Sequence, residues 1–330
     1  HVQREIDQFE MKSIIGIGTA GSVYNAIEKS TQRQCALKLL LPGLSDDANM
    51  ASRFEREMLI LSKLDHPNIV QYYGGGKHEG RLFYVMEAVP GGSMTQMLQT
   101  HGKLTWQETI RYGIQLSSAL QHAHNHGIVH RDIKPSNLFI TYQGDIKLGD
   151  FGIALDRAES DLTQNGMTVG SWLYMAPEQI RGASGITGQA DLYSLGCLLY
   201  ELLTGRPPFT GEHFAEIFDQ HLKDDPKPLA DLVPDCPKSL REIIATLLHK
   251  DPYQRPHNAR AVQGVMSELK LDWAEDETRY QLELNRLQLA FDSHSAAAQG
   301  ISRDIPFKQL LPWLLLAIAA AVIATLLTTP

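Results

Sequence analysis

The sequence predicts an α+β fold in two lobes, and three observations carry that reading. Up to residue 86 the chain reads mostly as short strands around a single helical stretch. Pro90-Gly91-Gly92 then breaks the pattern as a hinge or loop. Beyond it the periodicity is helical and includes residues 192–203, a run apolar nearly all round that reads as a central buried helix.

Taken in order, residues 14–17 and 23–27 flank a glycine-bearing turn, and 36–40 is a further short apolar run. Residues 45–64 have helical spacing, with Phe54, Met58, Leu61 and Leu64 on one stripe. Residues 82–86 read as a strand. Thr105-Trp106-Gln107-Glu108 has capping-box spacing and opens a helix carrying Ile110, Ile114, Leu120 and Ala123. Residues 138–140 and 146–148 are short strands around a Gly144-Asp145 turn. The 192–203 run is too short to span a bilayer and is interrupted by Ser194 and Glu201; Gly205 and Pro207-Pro208 stop it.

The chain has 330 residues and a net charge of -8, an acidic balance that argues against a nucleic-acid partner. Its 3 cysteines, Cys35, Cys197 and Cys236, are odd in number and far apart, which fits a reducing compartment better than a disulfide framework. No basic stretch followed by an apolar run marks a signal peptide at the N-terminus. Residues 310–327 carry no charge and are almost entirely Leu, Ile, Val and Ala, close to the length of a membrane-spanning helix. Trp313 at one end suits the bilayer interface, and Pro312 falls in the first turn, where a missing N–H does little harm. A buried core helix is the alternative. Arg303 and Lys308 precede the span and no basic residue follows it, which places the preceding domain in the cytoplasm. Residues 272–309 are a polar juxtamembrane linker. Trp273, Tyr280, Leu284, Leu287 and Phe291 within it fit an amphipathic helix, or a short coiled coil joining two copies.

The chemistry lies in a series of motifs. Gly16-Ile17-Gly18-Thr19-Ala20-Gly21-Ser22-Val23 sits between two strands, where glycines let backbone N–H groups approach phosphates. A dinucleotide fold would need a helix directly after these glycines, and residues 23–27 read as a strand instead. Lys38 ends an apolar run. Glu57 lies beside the inward stripe of the next helix and is its expected partner, with Glu55 the rival on spacing. In His130-Arg131-Asp132-Ile133-Lys134-Pro135-Ser136-Asn137, Asp132 can take the proton of an attacking hydroxyl. Lys134 can offset charge on a transferred phosphoryl group, and Asn137 can supply an oxygen to Mg²⁺. Asp150, in Asp150-Phe151-Gly152, offers that hard ion a carboxylate. Ala176-Pro177-Glu178 follows.

In this order and spacing the motifs resemble the protein kinase superfamily over residues 9–271, and within it the bacterial receptor-type kinases of the eukaryotic-like class. The resemblance implies a two-lobed protein kinase fold, with a β-rich N-lobe at 9–86 and a helical C-lobe at 93–271. An N-terminal extension at 1–8 precedes the domain, and the linker and the 310–327 transmembrane helix follow it. It implies ATP and Mg²⁺, with Ile15, Gly16, Gly18, Gly21, Val23, Ala36, Lys38, Glu87 and Val89 around the nucleotide and Met86 as gatekeeper. Asn137 and Asp150 would hold the metal; Asp132, Lys134, Lys38 and Glu57 would be catalytic. Glu178 would pair with Arg255, and Asp191 would anchor the catalytic loop. Lys134 implies transfer to Ser or Thr hydroxyls of protein substrates. Ser171, where the family more often has Thr, keeps the hydroxyl expected to bond Asp132 and Lys134. A pseudokinase-type membrane scaffold and a small-molecule phosphotransferase of kinase-like fold are the alternative functions.

Two further expectations concern histidines and regulation. His122, His124, His126 and His130 cluster, and His122 and His126 have the i, i+4 spacing of a metal site, but the approach of a helix to the catalytic loop explains them as well. Arg131, expected to be buried beside Asp132, wants an anion. A phosphate on Ser160, Thr163 or Thr168, with the two threonines preferred, would supply it.

Overall fold

The computed structural model describes residues 3–18, 21–42, 54, 58, 59, 61–151 and 170–271. The N-lobe is a five-stranded antiparallel sheet in the order β1-β2-β3-β5-β4. Its strands are β1 (Phe9–Gly18), β2 (Gly21–Glu28), β3 (Arg33–Leu40), β4 (Tyr72–His78) and β5 (Arg81–Glu87). Alternation with a period of two separates the faces. Cys35, Leu37 and Leu39 of β3 join Phe83 and Val85 of β5, Ala26 of β2, and Ile6 and Phe9 in one buried cluster. Ala36 and Lys38 point the other way, in register with Met86 and Tyr84. Phe54, Met58 and Leu61 of the helical stretch are buried, with the Phe54 ring 6.4 Å from that of Tyr84.

The residues ahead of β1 belong to the sheet. Gln3 bridges to Gly75, and Arg4 N donates to Gly75 O at 3.0 Å. The Arg4 side chain reaches Tyr73 O at 3.2 Å and Glu28 Oε1 at 2.9 Å. Glu28, 3% exposed, also takes Arg33 Nη2 and Thr31 Oγ1 on Oε2. The Thr31 bond, with the two guanidiniums, holds its carboxyl below the ordinary range against the upward pull of burial. Gly76 permits this docking, because a Cβ there would stand 2.2 Å from the Arg4 carbonyl oxygen.

Two elements carried no sequence expectation. Strand β4 runs through Gly74-Gly75-Gly76, hydrogen bonded to β5. Helix α1 (Met94–His101) follows the Pro-Gly-Gly break directly, capped by Ser93 and Gln96. The rest of the C-lobe is built on α2 (Trp106–Asn125), whose expected capping box is present, with Thr105 Oγ1 and Glu108 Oε2 each accepting the other's backbone N–H. A hairpin of β6 (Leu138–Ile140) and β7 (Ile146–Leu148) crosses to the N-lobe, where Val70 N donates to Leu148 O and Leu148 N to Asn68 O. After the short α3 (Pro177–Ile180), α4 (Gly188–Thr204) is the central buried helix anticipated at 192–203. Its polar Ser194 is accounted for by a 2.7 Å bond to Tyr174 O. Helices α5 (Phe214–Lys223), α6 (Leu229–Leu232), α7 (Lys238–Leu247) and α8 (Ala259–Leu271) complete the lobe, with α8 lying along α2 and α7.

All three cysteines are buried free thiols. Among the described residues no helix is long and apolar enough to cross a membrane, and 310–327 lies outside them. The Glu178–Arg255 brace forms as expected. Arg255 Nη1 and Nη2 meet Glu178 Oε1 and Oε2 at 2.6 and 2.8 Å. Its remaining N–H groups serve the carbonyls of His249, Gln189 and Lys250. The Arg255 side chain is fully buried and that of Glu178 is 14% exposed, so removing the cation strands a carboxylate and several carbonyls. Arg255→Ala is expected to lower stability by about 3–5 kcal/mol in urea unfolding, far beyond the change typical of a surface substitution.

Candidate active site

The loop between α2 and β6 is held by one buried carboxylate. Asp191, in the first turn of α4, accepts His130 N at 2.8 Å, Arg131 N at 2.7 Å and His124 Nε2 at 2.8 Å. These bonds hold Arg131 at φ 67°, a left-handed conformation costly for a residue with a side chain. The Arg131 side chain is exposed, which corrects the expectation of a buried arginine: Asp191 and Gln179 occupy its backbone on the inner side of the loop. His130 Nε2 donates to Gly149 O at 3.0 Å, since a carbonyl can only accept, and its Nδ1 therefore accepts from Asp132 N at 3.3 Å. Its ring packs on Phe151 at 4.6 Å. His130 is thus spent on structure. His122 and His126 stack at 4.6 Å, and no metal-binding group of His, Cys, Asp or Glu occurs among the described residues.

Asp132 stands at the centre of this loop. Lys134 Nζ contacts its Oδ2 at 2.8 Å, and Asn137 Nδ2 donates to both Asp132 O and Oδ2 at 2.8 and 3.1 Å. Lys134 Nζ also reaches Ser171 Oγ at 2.6 Å, joining the loop to the segment that follows. Asn137 presents its amide nitrogen to Asp132, which leaves Oδ1 as the atom able to meet a cation.

Across the cleft, Lys38 Nζ pairs with Asp150 Oδ1 at 2.7 Å, and Tyr84 Oη approaches the same oxygen at 3.4 Å. Burial would raise the Asp150 carboxyl, but the Lys38 ammonium outweighs it and keeps the pKa below the ordinary carboxylate value. Asp150 adopts φ 50°, the second left-handed non-glycine residue of the site. Both observations suit a divalent cation: an ionised carboxylate oxygen and an amide oxygen are the hard donors it prefers. Glu57 and Glu55 lie outside the described residues, as do Thr19 and Ala20 of the glycine turn and Ser160, Thr163 and Thr168.

The remaining residues expected around a nucleotide share one wall. Gly16 pairs with Val23, Val23 with Lys38, and Ala36 with Met86. Ile15 is 55% exposed beside them, and Gly18 closes against Gly21. At Gly21, with φ 152°, a Cβ would sit 2.1 Å from Leu39 O, so this glycine serves the strand crossing itself. Glu87 ends β5 and Val89 follows it, with Glu87 bound to Gln71 N at 3.2 Å and to Lys147 at 2.9 Å. Sequence reasoning had no signal for Tyr84 or Lys147, because their partners are remote in the chain.

Ser171–Tyr174 forms a single 3₁₀ turn after Gly170. Besides the Lys134 bond to Ser171, Tyr174 O accepts from Ser194, and Tyr174 Oη donates to Glu201 Oε2 at 2.5 Å. This explains the second polar interruption of α4; burial raises the Glu201 carboxyl, partly offset by that hydrogen bond.

The protein kinase domain family matches residues 9–266. Serine/threonine-protein kinase PrkC of Bacillus subtilis is 37% identical over 257 residues, covering 78% of this chain and 40% of the relative. Serine/threonine-protein kinase PknB of Mycolicibacterium smegmatis is 32% identical over 306 residues, covering 91% of this chain and 49% of the relative. A probable serine/threonine-protein kinase of Streptomyces coelicolor is 36% identical over 258 residues, covering 76% and 38%. The chain thus spans less than half the length of each. With the family's match running through the glycine turn, the Asp132 loop, Asp150 and the Glu178–Arg255 brace, and with serine/threonine-protein kinases among its relatives, the chain belongs to the protein kinase domain family.

Proposed function

We propose that the chain transfers the γ-phosphoryl group of Mg-ATP to Ser or Thr hydroxyls of proteins. The observation that carries this is the bridge made by Lys134, which touches Asp132 on one side and Ser171 of the segment ahead of Ala176-Pro177-Glu178 on the other. An acceptor peptide on that segment presents its hydroxyl to Asp132. Asp132 takes the proton as the hydroxyl oxygen bonds to phosphorus, the β,γ-bridging bond breaks and ADP departs. Lys134 offsets the charge that develops on the transferred group. Lys38, for which the sequence offers Glu57 as partner, steadies the α- and β-phosphates, and the residues of the glycine turn, Ala36, Glu87 and Val89 enclose the nucleotide. Asn137 and Asp150 would hold Mg²⁺, which neutralises phosphate charge.

Incubation of the chain with labelled Mg-ATP and a generic protein substrate tests the reading. Transfer to Ser and Thr is expected, and Asp132→Asn is expected to slow it about 10²–10⁴-fold while ATP binding persists. ATP binding without transfer would support a scaffold, and transfer only to small molecules a different phosphotransferase. The same incubation followed by mass spectrometry is expected to find phosphate on Thr163 or Thr168; a chain unmodified at both rules out that regulatory reading.

We also propose that residues 310–327 anchor the domain of 9–271 to a membrane through the 272–309 linker, with the domain in the cytoplasm, where a second copy could serve as substrate. The support is the charge-free run and the basic residues preceding it. Chain ending at residue 309 is expected to leave the membrane fraction. In right-side-out vesicles the domain is expected to resist added protease, and digestion there would reverse the orientation.

A further inference from the structure

His221 occupies a buried position on α5 that packing alone does not explain. It is fully buried, four residues on from Ile217 on the same inward face. Its Nδ1 lies 2.8 Å from Tyr193 Oη of α4. The Phe209 ring lies 4.9 Å from it in a T-shaped arrangement, and Lys250 Nζ sits 4.3 Å from the Phe209 ring centroid, bonded to Gln220 O. An ammonium cannot accept a proton from the imidazole. Nε2 is buried without a completed hydrogen bond. Helix α5 packs against the Ser171–Tyr174 turn. Burial, and then Lys250, pull the His221 pKa down to about 3, while the main chain of Leu173 and Trp172 favours the ring's proton.

The neutral ring carries one proton, and its place follows from its neighbours. Main-chain carbonyls only accept, so Nε2 bears the hydrogen and Nδ1 accepts from the Tyr193 hydroxyl. A buried imidazole N–H costs free energy unless a carbonyl meets it, whereas leucine or phenylalanine would fill the space at no such cost. The carbonyls available are those of Trp172 and Leu173, in the turn that Lys134 holds at Ser171 and Ser194 holds at Tyr174.

We propose that His221, oriented by Tyr193, is a positioning residue that sets the middle of the Ser171–Tyr174 segment for the acceptor peptide. This rests on the reading of that segment as the peptide-docking surface. His221 touches neither nucleotide nor reacting atoms, so its effect falls on peptide binding.

The test is steady-state kinetics on the whole chain with a peptide acceptor. His221→Phe is expected to raise the peptide KM about three- to tenfold, with the ATP KM unchanged and kcat little altered. His221→Gln, whose amide can place an N–H near the Nε2 position, is expected to recover most of the loss. Leu173→Ala is the control for docking itself. If Leu173→Ala raises the peptide KM and His221→Phe does not, the positioning role is overturned and the docking surface stands. If neither moves it, the docking surface fails and the inference with it. Both KM values rising together in His221→Phe would mark general loosening and also overturn the proposal. Should His221→Phe not fold, Tyr193→Phe carries the test, and an unchanged peptide KM there overturns the role.

Discussion

The carboxylate of Asp191 is buried in the first turn of α4, where it accepts three hydrogen bonds from the loop that carries Asp132. A charge in that position would be costly if unpaired, and the two backbone N–H groups it satisfies would be costly if orphaned. Each needs the other, so the most buried helix of the C-lobe and the strained turn at Arg131 are fixed as a unit. The placement of Asp132, of Lys134 bridging to Ser171, and of Asn137 follows from that unit. The helix propagates the same constraint downstream, because Ser194 and Glu201 on it hold Tyr174.

The cleft is arranged as two opposed ion pairs. Lys38 with Asp150 joins elements far apart in the chain, whereas Lys134 with Asp132 lies within one loop, and each pair is near neutral. The Lys38 ammonium holds the Asp150 carboxyl below its ordinary value against the upward pull of burial. The hinge between lobes carries a third pair, Lys147 with Glu87, beside the main-chain bonds of Asn68 and Val70 to β7. The lobes are therefore joined by backbone pairing and by charge along one side of the nucleotide wall.

What the sequence disclosed follows from which constraints are local. A carboxylate, a lysine and an amide within six residues of one loop can be read directly, because the chemistry needs those types close together. The Thr105–Glu108 box and the apolar run of α4 are likewise local. Strand β4 was hidden because its three glycines signal a turn, and their use emerges only when Arg4 and β5 come against them. Helix α1 carried a readable Ser-x-x-Gln cap, masked by the Pro-Gly-Gly break immediately before it. Arg131 was expected inside because it neighbours Asp132; the left-handed backbone of the loop puts its side chain outside. His221 gave no signal, since a histidine in an amphipathic helix looks ordinary until its ring is found sealed behind Tyr193 and Phe209.

The docking of Arg4 on β4 and Glu28 has a consequence for how the domain is delimited. Family similarity starts at Phe9, yet among the described residues the body of the sheet already includes Gln3, which pairs with Gly75. Between those two points lie a bridge, a guanidinium shared by a carbonyl and a buried carboxylate, and Ile6 in the apolar cluster. The edge of a recurrent sequence module and the edge of a cooperative folding unit are different boundaries. In this protein they are six residues apart by the positions of Gln3 and Phe9, and a fragment cut at the first would leave Glu28 with one guanidinium in place of two.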